Sequence, residues 1–303
     1  MLESLLKLHK KFSRFIKYKV LRKKKYKEKM WLKEKAKVLQ EVSGTFTSKY
    51  SLDVTKRYGT YIFHDKGNSL VRRDGYEPIT QHSLMVLIYL DKLRGNRTVL
   101  ADIGVNIGLH TFYLKDKYQD LEVIAFDPSP ASWAYFEFSL KYNKTSNVHL
   151  QKIALSDRNG ILDFYRWGSE SSADALCDTG RVPGVKPTVI QVPARKLDDV
   201  EDLPKITVIK MDCEGAEFSI LEGSRNVLSK YKPLILLEFS PLNIGAFNIN
   251  AEKIIEKVHE LNYLLYSLDF INIDLKMFKE MQDEGEENYI MLPNDIVLTD
   301  KIV

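Results

Sequence analysis

The chain is poor in cysteine: Cys177 and Cys213 are the two thiols among 303 residues. Two thiols build no disulfide framework and have no metal-ligand spacing, so a reducing, cytoplasmic compartment is expected. Long apolar runs are missing as well. The longest, Leu84 to Leu90 (LMVLIYL), has seven residues, whereas a membrane-spanning helix needs about 20. No apolar segment follows the basic N-terminus, so no secretory leader is expected. There is no internal repeat, and no low-complexity stretch beyond a lysine-rich arm.

What is present is an ordinary globular composition, 44% hydrophobic and 28% charged, with an uneven distribution of charge. Residues 1–41 hold 13 Lys and 2 Arg against 4 Glu, a balance of +11, and the remaining residues carry −7. In the arm, Leu2, Leu5, Leu6, Phe12, Phe15 and Ile16 recur at helical spacing with lysines between them. This predicts a basic amphipathic helix. Such a helix suits an anionic membrane surface, at the inner face of the membrane, beside a lipid-linked substrate. The same stripe also suits packing on the body or on a second copy, which leaves a homo-oligomer open.

Beyond the arm, residues 44–75 alternate apolar and polar residues and suggest short strands. A helix is expected over 79–93, ended by Gly95 and Asn96. Strands are then expected at 98–102, 121–127, 148–153, 206–212 and 234–239, with helices over 109–118, 131–142, 215–229 and 251–261. Near-continuous apolar strands separated by helices predict a mostly parallel, doubly wound sheet. The segments 263–269 and 288–293 add an antiparallel edge. The expected organisation is a basic arm (1–41), an extension with short strands and a helix (42–95), and an α/β domain (96–303). One irregular stretch, Gly168 to Pro187, is rich in Gly, Ser and Pro. Arg166 and Trp167 beside it have the chemistry to meet a sugar ring, although an ordinary hairpin excursion accounts for the stretch equally well.

In such a sheet, ligands lie beyond the carboxyl ends of the strands. Asp102, Asp127, Asp212 and Glu238 all fall at or near those ends. Residues 99–112 (VLADIGVNIGLHTF) run from a strand through an acid and two glycines into a helix. The turn through Gly104 and Gly108 is expected to bring bare N–H groups to a ligand. A dinucleotide site wants G-x-G-x-x-G and a separate acid about 20 residues later. Here Asn106 replaces the second glycine, and Asp102 precedes the first. An acid at that place suits a cation better than a pyrophosphate. S-adenosylmethionine carries an ammonium and a sulfonium and no phosphate, so Asp102 can order the loop and help hold the amino-acid end. Asp127 can accept both ribose hydroxyls, or cap the helix that follows Pro128 and Ser129.

The segments D-I-G-V-N-I-G at 102–108, A-F-D-P-S-P at 125–130 and I-K-M-D-C-E-G-A-E at 209–217 resemble the FkbM family of methyltransferases. The resemblance covers roughly residues 76 to 268, and the third segment is its most specific part. It implies a Rossmann-like class I methyltransferase fold, S-adenosylmethionine as donor, and a hydroxyl acceptor, often on a sugar or polyketide. Val105 stands where the family usually has Ala. Asp127 replaces the more usual Glu, which keeps the acceptor chemistry but shortens the reach.

Methyl transfer to a hydroxyl needs an aligned nucleophile and a group to take its proton. Asp212 is the first candidate for the base, with Glu238 as helper and His110 on the same rim. Glu214 and Glu217 lie nearby. Asp212 can instead cap a helix beginning near Gly215, and His110 can bond within its loop. Two carboxylates alone do not define a Mg²⁺ site, and no metal is assigned. The +11 arm would suit RNA phosphates, making a nucleic-acid methyltransferase the main alternative. However, the chain lacks the D/N-P-P-Y/F segment used in amino methylation of adenine and the Pro-Cys nucleophile used at cytosine C5. A binding module without catalysis is the non-enzyme alternative, and it would be expected to have lost Asp102 or Asp127.

Overall fold

The computed structural model describes residues 77–167, 173–180 and 184–296. The basic arm and the strands expected over 44–75 lie outside them. Ser83–Ile296 forms one compact unit. The first described helix, α1, runs Pro78–Leu93. Leu84, Val86, Leu87 and Ile88 are fully buried, and Gly95 turns the chain at φ +78°.

A seven-stranded sheet follows. Its strands are β1 (Val99–Ile103), β2 (Glu122–Phe126), β3 (Val148–Gln151), β7 (Val208–Met211), β8 (Leu234–Glu238), β9 (Tyr263–Ser267) and β10 (Asn288–Pro293). Their spatial order is β3-β2-β1-β7-β8-β10-β9. All pairings from β3 to β8 are parallel. β10 runs antiparallel to both β8 and β9 and lies between them. The fold is the Rossmann-like α/β arrangement expected, with the single reversed strand inserted one place in from the edge. β1, β7 and all but the last residue of β8 are buried throughout, so their apolar runs are covered on both faces. Truncating a fully buried member such as Ile209 or Leu236 to Ala costs about 2–5 kcal/mol.

The helices are α2 (Leu109–Lys117), α3 (Pro130–Asn143), α4 (Glu217–Glu222), α5 (Arg225–Tyr231), α6 (Pro241–Ala246), α7 (Ala251–Glu260) and α8 (Leu275–Asp283). The single helix expected over 215–229 is two, α4 and α5, separated by Gly223 and Ser224. The carboxylate of Asp198 accepts the N–H groups of Asn226 and Val227 and so caps the second. α6 and α8 were not expected.

Between β3 and β7 the chain leaves the main sheet. β4 (Ala154–Leu155), β5 (Gly160–Arg166) and β6 (Thr188–Arg195) form a small sheet in the order β4-β6-β5. β5 and β6 pair antiparallel from Gly160↔Ala194 to Arg166↔Thr188, which is the hairpin excursion. The chain runs outward from β1 to β3, then returns to place β7 beside β1. The strand order reverses between β1 and β7, where a doubly wound sheet opens a crevice at its carboxyl end.

Candidate active site

The loop after β1 turns through Gly104 (φ +75°), Asn106 (φ +51°) and Gly108 (φ +87°). These are left-handed conformations, which a side chain resists. A Cβ on Gly104 would also lie 1.9 Å from the backbone oxygen of Asp212, and one on Gly108 would lie 2.4 Å from the Phe136 ring. Both glycines are therefore fixed by conformation and by close approach. Four N–H groups of the loop are already paired and do not serve as bare donors. The N–H groups of Gly104 and Val105 both donate to the Phe126 carbonyl (2.9 and 3.1 Å), and that of Gly108 donates to the Val105 carbonyl (2.9 Å). Asn106 N–H donates to Asp127 Oδ2 (2.8 Å). A tight turn against β2 must pair its own buried donors. What remains for a ligand is the partly exposed surface of Gly104, Asn106 and Ile107.

Asp127 follows β2. Its second oxygen, Oδ1, accepts Ser129 N–H (2.8 Å), so the carboxylate joins the loop to the start of α3. Both the capping and the loop-facing orientation are thus present in one side chain. Burial raises its pKa to about 6, against the lowering effect of the Ser129 and Asn106 N–H bonds and of the Lys210 charge.

Asp102 sits inside β1, 1% exposed. Its Oδ2 accepts the Thr111 hydroxyl (2.5 Å), and its Oδ1 lies 3.6 Å from Lys210 Nζ with no hydrogen-bond partner. Lys210 is the register partner of Asp102 in β7. Its ammonium, itself 3% exposed, lies 3.3 Å from Asp212 Oδ2 and donates to the Gly104 carbonyl (3.0 Å). One buried cation thus touches the loop, the acid before it and the acid after β7.

Asp212 keeps 26% of its side chain exposed, which makes it the reachable member of this group. It is not a helix cap, because α4 begins at Glu217 after Ala216 without a side-chain cap. The Glu217 carboxylate instead reaches back to Cys213 N–H (2.6 Å). Asp212 and the partly buried Glu238, at the ends of adjacent strands, share a carboxyl–carboxylate hydrogen bond. Burial would raise Asp212, but Lys210, the Glu238 bond and the nearby His110 imidazole outweigh it and bring its pKa to about 2. Burial and the Asp212 charge hold Glu238 well above the usual carboxylate range. Of the two, Glu238 is therefore the carboxyl that holds a proton to the higher pH.

His110 is buried in the first turn of α2, within electrostatic range of Asp212. Glu217 is 1% exposed, and burial lifts its pKa to about 8. Glu214, at φ +53°, accepts Asn243 Nδ2 (2.7 Å), a contact that helps to offset a conformation costing about 1–2 kcal/mol. The structure thus gathers Asp102, Gly104, Asn106, Gly108, Asp127, His110, Asp212 and Glu238 around the carboxyl ends of β1, β2, β7 and β8. Arg166 and Trp167 lie beside Asp174, whose Oδ2 accepts the Ser129 hydroxyl (3.5 Å) next to Asp127. Trp167 packs on Ala173 and Ala175, and both residues bond to Asp174. Lys210 was the site residue sequence reasoning missed, although a lysine inside an apolar strand (ITVIKMD) signals a buried cation that needs anionic partners. Among the described residues, no group of three or more His, Cys, Asp or Glu is arranged to hold a metal ion, and no helix is long and apolar enough to cross a membrane.

Residues 102–265 match the methyltransferase FkbM domain family. Over 142 residues the chain is 29% identical to Methyltransferase 1 of Beauveria bassiana, covering 41% of this chain and 57% of that protein. It is 27% identical over 156 residues to 2-O-methyltransferase NoeI of Sinorhizobium fredii, covering 47% and 63%. It is 28% identical over 139 residues to hexuronic acid methyltransferase AglP of Haloferax volcanii, covering 46% and 54%. The chain spans between one-half and two-thirds of the length of these relatives. The family and its fold imply S-adenosylmethionine as the usual methyl donor. With more than half of its length inside the family match and the β1/β7 crevice built from the matched segments, this chain belongs to the FkbM methyltransferase family.

Proposed function

We propose that the protein transfers a methyl group from S-adenosylmethionine to a hydroxyl oxygen of a sugar or surface glycan. The observation that carries this reading is the arrangement at the strand-order reversal. A glycine turn backed by Asp102 and Asp127 lies against the backbone of Asp212, whose partly exposed carboxylate is hydrogen-bonded with Glu238. The rim chemistry fits the donor. Asp102, buried beneath the turn, orders the loop through Thr111 and Lys210. Asp127 accepts one N–H on each oxygen, and a carboxylate retains further lone pairs for ribose hydroxyls. Among the described residues, the ammonium between these acids, Lys210, is buried against Asp102 and Asp212, an arrangement that disfavours a pyrophosphate. The names of NoeI and AglP favour an oxygen acceptor on a sugar.

When bound, the donor supplies an electrophilic methyl on a sulfonium. The chain's residues then have to align the acceptor and take its proton. Asp212 accepts the hydroxyl's hydrogen bond at its exposed oxygen, while the Glu238 O–H donates to the acceptor or to Asp212 itself. A pKa of about 2 makes Asp212 a weak base. A hydroxyl oxygen that is gaining a methyl group is far more acidic than any carboxylic acid, so its proton passes to Asp212 late in the transfer. Lys210 stabilises that carboxylate beforehand. The test is a screen with labelled S-adenosylmethionine against glycan, nucleotide-sugar and RNA acceptors, with mass spectrometry of the labelled product. Label on a sugar oxygen is the expected result, and label confined to RNA or to a nitrogen overturns the reading.

A further inference from the structure

Lys210 is the least expected residue of the site. It occupies an interior position of β7, between Ile209 and Met211, both fully buried. Burying an ammonium is costly unless charge and hydrogen bonding compensate for it. Its compensation comes from three places at once: Asp102 on β1, the Gly104 carbonyl in the loop, and Asp212 beyond the end of β7. The donor-side loop and the acceptor-facing carboxylate otherwise belong to different segments of the chain. This one ammonium joins them.

We propose that Lys210 is a positioning residue that couples the two halves of the reaction centre. It anchors the Gly104 turn through its carbonyl and presents Asp212 to the acceptor as an anion. The inference rests on the methyl-transfer reading for its catalytic meaning, but the coupling itself is a property of the protein without substrates. Lys210 Nζ lies 3.3 Å from Asp212 Oδ2, so its charge favours the anionic form of that carboxyl. The other groups facing Asp212 are Glu238 from β8, His110 from α2, Glu217 from α4 and the adjacent Cys213. Of these, His110 alone can add positive charge, and only when protonated. In Lys210→Met, Asp212 therefore loses its permanent counter-charge while Glu238 and Glu217 remain beside it.

The test uses the full chain with carbon-13 in the aspartate carboxyl groups, the Asp212 signal being assigned by its loss in Asp212→Asn. In the wild type, the Asp212 signal is expected to stay at its carboxylate position down to pH 4. In Lys210→Met it is expected to titrate above pH 4, and in Lys210→Arg, which keeps the charge, it is expected to stay low. Adenosylhomocysteine binding, measured by calorimetry on the same variants, is expected to weaken roughly tenfold to a hundredfold in Lys210→Met, the scale of losing a hydrogen bond to a charged group. Should Lys210→Met fail to fold, Lys210→Gln still offers an N–H to the Gly104 carbonyl and carries the same titration test. An Asp212 titration unmoved in a folded, uncharged variant overturns the coupling. So does donor affinity unchanged in Lys210→Met. Wild-type protein that binds no adenosylhomocysteine while Asp212 titrates as described would overturn the methyl-transfer reading and leave the coupling standing.

Discussion

Asp127 and Asp212 are the same residue type just beyond the ends of two parallel strands of one sheet, yet their acidities move in opposite directions. Asp127 is raised to about 6 and Asp212 is lowered to about 2. Burial pushes both upward. The difference lies in the compensation. Asp127 receives two neutral backbone N–H groups, whereas Asp212 has the Lys210 ammonium at 3.3 Å and a hydrogen bond with Glu238. Neutral dipoles hold a carboxylate in place, and a full charge fixes its protonation state. The donor side is thus organised by geometry, and the acceptor side by charge.

The largest expected break in this comparison comes from Asp212→Asn. It keeps the size of the side chain and removes its charge, so turnover should fall about a hundredfold or more, the scale of lost general-base help. Adenosylhomocysteine affinity, read by calorimetry, should survive. Next in size is Asp127→Ala, which removes the acceptor for Asn106 and Ser129 and for the ribose. Donor affinity should fall roughly ten- to a hundredfold, with unfolding curves showing a folded protein.

Titration sharpens the contrast without mutation. Lowering the pH from 7 to 5 neutralises most of Asp127 and leaves Asp212 ionised, so donor affinity should weaken about tenfold and recover on return to pH 7. Stability moves the other way. The folded chain holds the Asp127 proton more tightly than the unfolded chain, whose ordinary value is 3.8. Its favourable contribution is fully present below pH 3.8 and is lost as the pH rises through about 6. The displacement corresponds to about 3 kcal/mol, and thermal melts of Asp127→Asn should lack that dependence. The smallest effect is expected from deleting residues 1–41, which removes the +11 balance and leaves both aspartates in place. Donor binding should be unchanged, while association with acidic vesicles, weakened by salt in the intact protein, should be lost.

Much of the sheet was legible because its strands are fully buried and read as apolar runs. TVLAD, ITVIKMD and LILLEF were bounded to within two residues of β1, β7 and β8. β5 and β6 were not, because GILDFYR and TVIQVPAR alternate across a half-exposed hairpin and Pro193 argues against a strand. α6 begins at Pro241 and is only six residues long, too short for a helical period. At the site, the positions were legible from where acids and glycines fall along the strands, but the partners were not. No spacing rule says that Asn106 N–H would be taken by Asp127, or that the Asp212 proton balance would depend on a lysine two residues before it. The first follows from β1 pairing with β2 and the second from the burial of Lys210 between β1 and the end of β7, which are tertiary properties.

The central claim is that the acid-backed glycine turn holds an adenosyl sulfonium donor and not a dinucleotide. Calorimetry of the wild-type protein with adenosylhomocysteine and with NAD at pH 7 tests it most directly. The account predicts micromolar binding of adenosylhomocysteine and far weaker binding of NAD. Comparable or tighter binding of NAD would contradict it.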